Sequence, residues 1–200
     1  SSSNIQVRRS YFHDGFDYGG NGRAYGIVLQ FTSGECLIEN NIFNHLRHSV
    51  LLQAGANGNV ITYNYSRDPF WTSFPSDASG DMVLHGNYVF ANLFEQNICQ
   101  NIVIDNSHGP NGPYNTFFRN RAEKYGIYFS ADNSPFQNIV GNEITNSNFP
   151  YSLVNYSIQG KDQFEFSNNN KGVIVPMGES ALPETSLFYK EKPYFLQESQ

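Results

Sequence analysis

CLIENNIF at 36–43, VITYNYS at 60–66, ANLFEQNI at 91–98, NTFFRNRA at 115–122 and QNIVGNEI at 137–144 are five versions of one run, in which a strand-like stretch leads to an asparagine. With Asn41, Asn64, Asn97, Asn120 and Asn142 as markers, the steps are 23, 33, 23 and 22 residues. A unit this short cannot bury its own apolar face and must stack on copies of itself. Its residues favour strands. The runs are rich in Ile, Val, Phe and Tyr, last four to eight residues, and are bounded by Gly, Asn, Ser and Pro. Asn is poor in a helix interior or an ordinary strand, yet the chain has 25 of them. Stacked at one corner, such amides form hydrogen-bond ladders. The period fits a three-sided coil of a parallel β-solenoid, an all-β fold of about six rungs. The longer steps carry insertions, one of them at 66–80.

Two hundred residues suit one domain. The net charge of −6, with charged residues at 15%, argues against a nucleic-acid partner. No apolar run has membrane-spanning length. The opening SSSNIQVRRSYF already reads as part of a rung, with Ser10 in the marker position. It shows no charged-then-apolar leader, so a secretion signal was removed or was never there, and no cap, so a fragment or a missing N-terminal part is expected. Cys36 and Cys99 fall two rungs apart, about 9–10 Å, beyond the reach of a disulfide. Two free, buried thiols are expected, which leaves the redox compartment open.

Aligning the rungs exposes a second set of strands: GIVLQ at 26–30, VLLQ at 50–53, DMVLH at 81–85, NIVID at 101–105 and GIYFS at 126–130. With a period of two, Ile27, Leu29, Leu52, Met82, Leu84, Ile102, Ile104, Ile127 and Phe129 point inward. Two outward columns remain. One is Val28, Leu51, Val83, Val103 and Tyr128; the other is Gln30, Gln53, His85, Asp105, Ser130 and Asn155. His85 and Asp105 are then neighbours, and a His–Asp pair orients an imidazole for acid–base work near neutral pH. His108 follows within three residues of Asp105. The insertions 14–26 and 66–81 lead into strands of this face and are expected to wall it with Tyr18, Tyr25, Phe70, Trp71 and Phe74. Such rings suit the C–H faces of sugars. The candidate catalytic residues are therefore His85, Asp105 and His108. Gln30, Gln53, Trp71, Asp81, Tyr128 and Ser130 are the candidate substrate-binding residues.

Each of these has a plainer reading. His85 and Asp105 read equally as a solvated surface pair, or as part of a site that binds without catalysing. Trp71 reads as a loop residue packed on the wall. Arg119 and Arg121 could clasp a uronate, or be ordinary exteriors on a different side. His45 and His48 sit at a corner with no third ligand for zinc in the sequence nearby.

The asparagine corners and the runs RHSVLLQAGANGNVITYNYS at 47–66 and HGNYVFANLFEQN at 85–97 resemble the right-handed parallel β-helix proteins of the pectate lyase superfamily, over 1–160. The resemblance implies that fold and a secreted or cell-surface, bacterial, carbohydrate-related role. Its reactions range over lyases, hydrolases, epimerases, tailspikes and adhesins, so the reaction stays open. Calcium-dependent members cluster acidic residues with an Arg on an outer face. Asp81 and Asp105 leave calcium as an option, but neither outward column has an Arg. Of the motifs in polygalacturonase-like hydrolases only His108-Gly109 is echoed, and the paired aspartates most glycosidases need are absent. The implied activity is a lyase or hydrolase acting on a polysaccharide in a groove, and the alternative is a binding scaffold. The last forty residues, 161–200, lose the marker. LPETSLFYKEKPYFL at 182–196 resembles the closing segment of secreted β-helix proteins. Leu187, Phe188, Tyr189, Tyr194 and Phe195 are expected to cap the final rung.

Overall fold

The computed structural model describes residues 2–18, 22–70, 80–129, 134–146, 156–178 and 182–197. Its fold is all-β, with parallel strands in two sheets; the described residues hold no α-helix and only one 3-10 turn, Tyr194–Leu196. The first sheet has seven strands: β1 (Gln6–Arg8), β4 (Leu37–Glu39), β7 (Val60–Thr62), β10 (Leu93–Glu95), β12 (Thr116–Phe118), β14 (Asn138–Val140) and β17 (Phe164–Phe166). Each pairs in parallel with the equivalent strand of the next sequence repeat.

The second sheet begins as two branches. One is β2 (Tyr11–His13), β5 (Ile42–Asn44) and β8 (Tyr65–Arg67); the other is β3 (Tyr25–Leu29), β6 (His48–Leu52) and β9 (Met82–Leu84). They merge in the long strands β11 (Ile98–Ile104) and β13 (Arg121–Phe129), where a register shift between Cys99 and Asn101 bends the sheet. β16 (Tyr156–Ser157) extends one branch beyond β13. β15 (Glu143–Ile144) and β18 (Asn168–Asn170) continue the other, and β19 (Val173–Val175) turns back antiparallel on the edge of β18. Pairing therefore runs past residue 160, where the loss of the marker had placed the end of the repeat; Asn168 is one more marker.

The first-sheet strands are three residues long because left-handed residues bracket them. Asn40, Tyr63, Gln96, Arg119, Gly141 and Ser167, one before each marker, have φ between 51° and 65°. This corner aims each marker amide at the next repeat. Nδ2 of Asn41, Asn64, Asn97, Asn120 and Asn142 donates to Oδ1 of the following marker at 2.9–3.0 Å. Ser10 stands in the marker position, its N–H donating to Asn41 Oδ1 at 3.0 Å. A second ladder joins Asn59, Asn92, Asn115 and Gln137 at 2.8–2.9 Å.

Between the sheets lies one apolar core. Ile38, Ile61, Phe94, Phe117 and Ile139 come from the middle of consecutive first-sheet strands, facing Leu52, Met82, Leu84, Ile102, Ile104, Ile127 and Phe129 from the second. Phe94 and Phe117 stack with centroids 5.0 Å apart. Each such burial contributes about 1.5–3 kcal/mol. Cys36 and Cys99 are buried and free, and burial pushes the Cys99 thiol well up.

The C-terminal segment does not cap the last repeat as expected. It runs back as a strap across the left-handed corner of earlier repeats. Arg119 donates to the Pro183 carbonyl at 3.0 Å, and Gln96 donates to the Thr185 carbonyl at 3.1 Å. Glu95 accepts from Ser186 Oγ and from the N–H groups of Leu187 and Phe188. Tyr189 and Phe195 set their rings 6.0 and 5.5 Å from that of Tyr63. The strap goes where the acceptors are, while β19 takes the edge of β18.

Candidate functional site

The outward columns of the β3–β6–β9–β11 branch build the site. The His85 N–H donates to the Leu52 carbonyl at 2.8 Å, the Asp105 N–H to that of Leu84 at 2.9 Å, and the Gln53 N–H to that of Leu29 at 2.9 Å. Gln30, Gln53, His85 and Asp105 thus follow one another, one per repeat, at about 4.8 Å. Asp105 Oδ2 meets His85 Nδ1 at 2.7 Å, with both side chains about 15% exposed. Asp105 Oδ1 accepts the Ser107 N–H at 2.9 Å. Burial alone would raise the Asp105 carboxyl. The His85 hydrogen bond and charge, with Ser107, outweigh it and hold the group below its ordinary range. Since a carboxylate only accepts, His85 Nδ1 carries the proton of this hydrogen bond, and Nε2 is the ring nitrogen not engaged with Asp105.

His108 brings a second imidazole, its ring centroid 4.7 Å from that of His85. Gly86 permits this approach. It has φ +82°, and a Cβ there would lie 2.4 Å from the Gly109 carbonyl oxygen. Asn111, missed by the sequence reading, ties the site together. Its Oδ1 accepts the Gly86 N–H at 3.0 Å and its Nδ2 donates to the Asp105 carbonyl at 2.7 Å. Behind His85 lies His48, centroid to centroid 5.9 Å. His48 is buried, shares its Nδ1 with the Gly80 carbonyl, and is pushed down to about 4, chiefly by burial.

A groove of about 540 Å³ runs over this face. Gln30, Gln53, His85 and His108 line it, with Tyr25, Val28 and Leu51 as apolar wall and Arg47 as its cation. The guanidinium of Arg47 sits 5.9 Å from the centre of the Tyr25 ring. The candidate residues Gln30, Gln53, His85 and His108 thus share one cavity, with Asp105 bonded to His85.

Others are placed differently. Asp81 is fully buried. Its Oδ1 accepts from Ser49 and Ser66 Oγ at 2.5 and 2.6 Å, and its Oδ2 from the Gln100 N–H at 2.9 Å. A side chain so enclosed does not reach a substrate, which corrects its assignment. It is Ser49, Ser66 and the Gln100 backbone that enclose it, while the preceding Gly80 lies against Val83 and Val103 so closely that a Cβ would clash with both. Leu51, Val83 and Val103 point outward yet are buried in a second apolar cluster, against which Tyr25, Val28 and Tyr128 pack, Tyr128 outside the groove lining. Trp71, Phe74, Ser130 and Asn155 lie outside the described residues. Tyr18 and Phe70 pack on each other at 4.5 Å.

The two acidic residues considered for calcium are otherwise engaged. Asp81 is enclosed, Asp105 is committed to His85 and Ser107, and among the described residues no three His, Cys, Asp or Glu gather to hold a metal. His45 turns to Asp68 at 3.2 Å while His48 turns to Gly80, so the two do not form a zinc pair. Arg119 holds the strap and Arg121 pairs with Glu143 at 2.7 Å. No helix among the described residues is long and apolar enough to cross a membrane. No family model matches the chain, and no curated protein or solved structure matches it either.

Proposed function

We propose that the chain is a right-handed parallel β-helix of the pectate lyase type, secreted or displayed at a cell surface, that cleaves a uronate-containing polysaccharide by β-elimination. The observation that carries the reading is the 2.7 Å His85–Asp105 hydrogen bond at the mouth of a groove. His85 Nε2 removes the proton from C5 of the uronate. The electron pair forms the C4–C5 double bond, the C4–O4 bond breaks, and His108 delivers a proton to the departing oxygen. Arg47 meets the carboxylate whose charge grows as C5 loses its proton. Asp105 stays ionised and holds the His85 tautomer. Elimination is favoured over hydrolysis because Asp105 is the one carboxylate at the groove among the described residues. A glycosidase needs two at defined separation.

The test is absorbance from unsaturated uronate when the purified chain is incubated with uronate-containing polysaccharides, with His85→Ala alongside. The variant is expected to lose at least about a hundredfold in rate. Glycan binding with no unsaturated product from the wild type would replace the lyase with a binding scaffold.

A further inference from the structure

We infer that the groove takes a heteroglycan in which a single uronate is flanked by neutral sugars, and discriminates against homopolyuronates; this rests on the lyase reading of the same site. The argument is a count of permanent cations, lysine and arginine, the proton of His108 being the one the mechanism spends on the departing oxygen. All twelve lysines and arginines of the chain lie among the described residues, so no undescribed segment can bring another to the groove. Arg47 is the one that lines it. Arg23, whose neighbours Gly22 and Tyr25 line the groove, is itself outside the lining and pairs with Asp17 at 2.8 Å. Arg119 and Arg121 are committed on the strap corner and to Glu143.

A homopolyuronate presents a carboxylate on every ring. Laid along the column it would place one beside each of Gln30, Gln53 and His85, which are about 4.8 Å apart. Only one of these carboxylates could find a guanidinium. The others would be desolvated against amides and the apolar wall of Val28 and Leu51, which is costly for a charge. The net charge of −6 adds long-range repulsion of a polyanion. Neutral rings meet none of this. Their hydroxyls suit the glutamine amides, which both donate and accept, and their C–H faces suit Tyr25, Val28 and Leu51. The groove thus has one acidic subsite, at Arg47, and neutral subsites along the glutamines.

The experiment titrates the His85→Ala chain by calorimetry with four hexasaccharides. Two alternate a uronate with a neutral sugar (hyaluronan, and galacturonate–rhamnose), one is hexagalacturonate, and one is its carboxyl-reduced form. An alternating oligomer is expected to bind at least about tenfold more tightly than hexagalacturonate. Arg47→Gln is expected to erase about tenfold for the alternating oligomer and leave the carboxyl-reduced one unchanged. Equal or tighter binding of hexagalacturonate overturns the inference, as does weak binding of all four. Wild-type turnover is followed in parallel. Selective binding of the alternating oligomer without unsaturated product would sink the lyase and leave the specificity standing. Elimination on hexagalacturonate with no such preference would do the reverse.

Discussion

Asp105 and His48 tie the site to stability in ways that pH separates. The Asp105 carboxyl titrates below its ordinary range in the folded chain. Its contribution is present above the unfolded-state value near 3.9 and is lost as pH falls through the lower folded-state value. Urea melts of wild type and Asp105→Asn should therefore differ at pH 7 and converge in strong acid. An equal gap at both ends would remove the charge from the explanation. His48 behaves differently. It stays neutral in the fold down to about pH 4, while the unfolded chain takes up its proton near 6.5. Stability should fall as pH drops from 6.5 to about 4, by on the order of 3 kcal/mol for this shift. His48→Gln should flatten that slope, and an unchanged slope would show that other groups set it. Sequence periodicity was enough to bring His85 beside Asp105, because facing alternates with a fixed period and equivalent positions stack. It also put Asp81 on the outer side. What periodicity cannot carry is which outward residues their neighbours enclose, as Ser49, Ser66 and the Gln100 backbone enclose this one.

The ladders make the repeat cooperative at the level of its strands. Asn97 donates to the Ile61 carbonyl and to Asn120 Oδ1, and its own Oδ1 accepts from the N–H and Nδ2 of Asn64. Asn97→Ala would leave several buried polar groups on two repeats without partners, at a cost of about 3 kcal/mol. The same change at half-buried Asn44, outside both ladders, should cost under about 1 kcal/mol, so chemical denaturation of the two variants separates ladder from composition. Comparable losses would mean that the amides are replaceable. The marker ladder was legible because its step recurs. The second ladder was legible too, five residues before each marker, as Asn92 is before Asn97 and Asn115 before Asn120. It escaped notice because Gln137 breaks the residue identity while keeping the amide chemistry. The left-handed corner leaves little trace in sequence, since Tyr63, Gln96 and Arg119 are not residues that favour positive φ.

Across the molecule, the strap joins the end of the chain to repeats it follows by some ninety residues, as in the Glu95 contact with Leu187 (92 apart). A segment bearing Leu187, Phe188, Tyr189, Tyr194 and Phe195 reads as a cap because aromatics must be covered. Sequence alone does not reveal that Glu95, on the outer side of β10, presents a carboxylate for backbone N–H groups. That carboxylate is fully buried and no cation pairs with it among the described residues, so the strap supplies its hydrogen bonds. Removing the strap would expose the charge to water; removing the charge would release the strap. Glu95→Gln sets an amide N–H₂ against donors of Ser186, Leu187 or Phe188, so at least one bond must break. Hydrogen exchange at the Leu187 and Phe188 amides should speed up by about tenfold or more, while the amides of Ile38 and Phe117 in the sheet keep their protection. Gln96→Ala, which removes a single exposed bond to Thr185, should change exchange there much less. If both variants leave Leu187 and Phe188 equally protected, the rings of Tyr189 and Phe195 on Tyr63 hold the strap and Glu95 is merely covered by it.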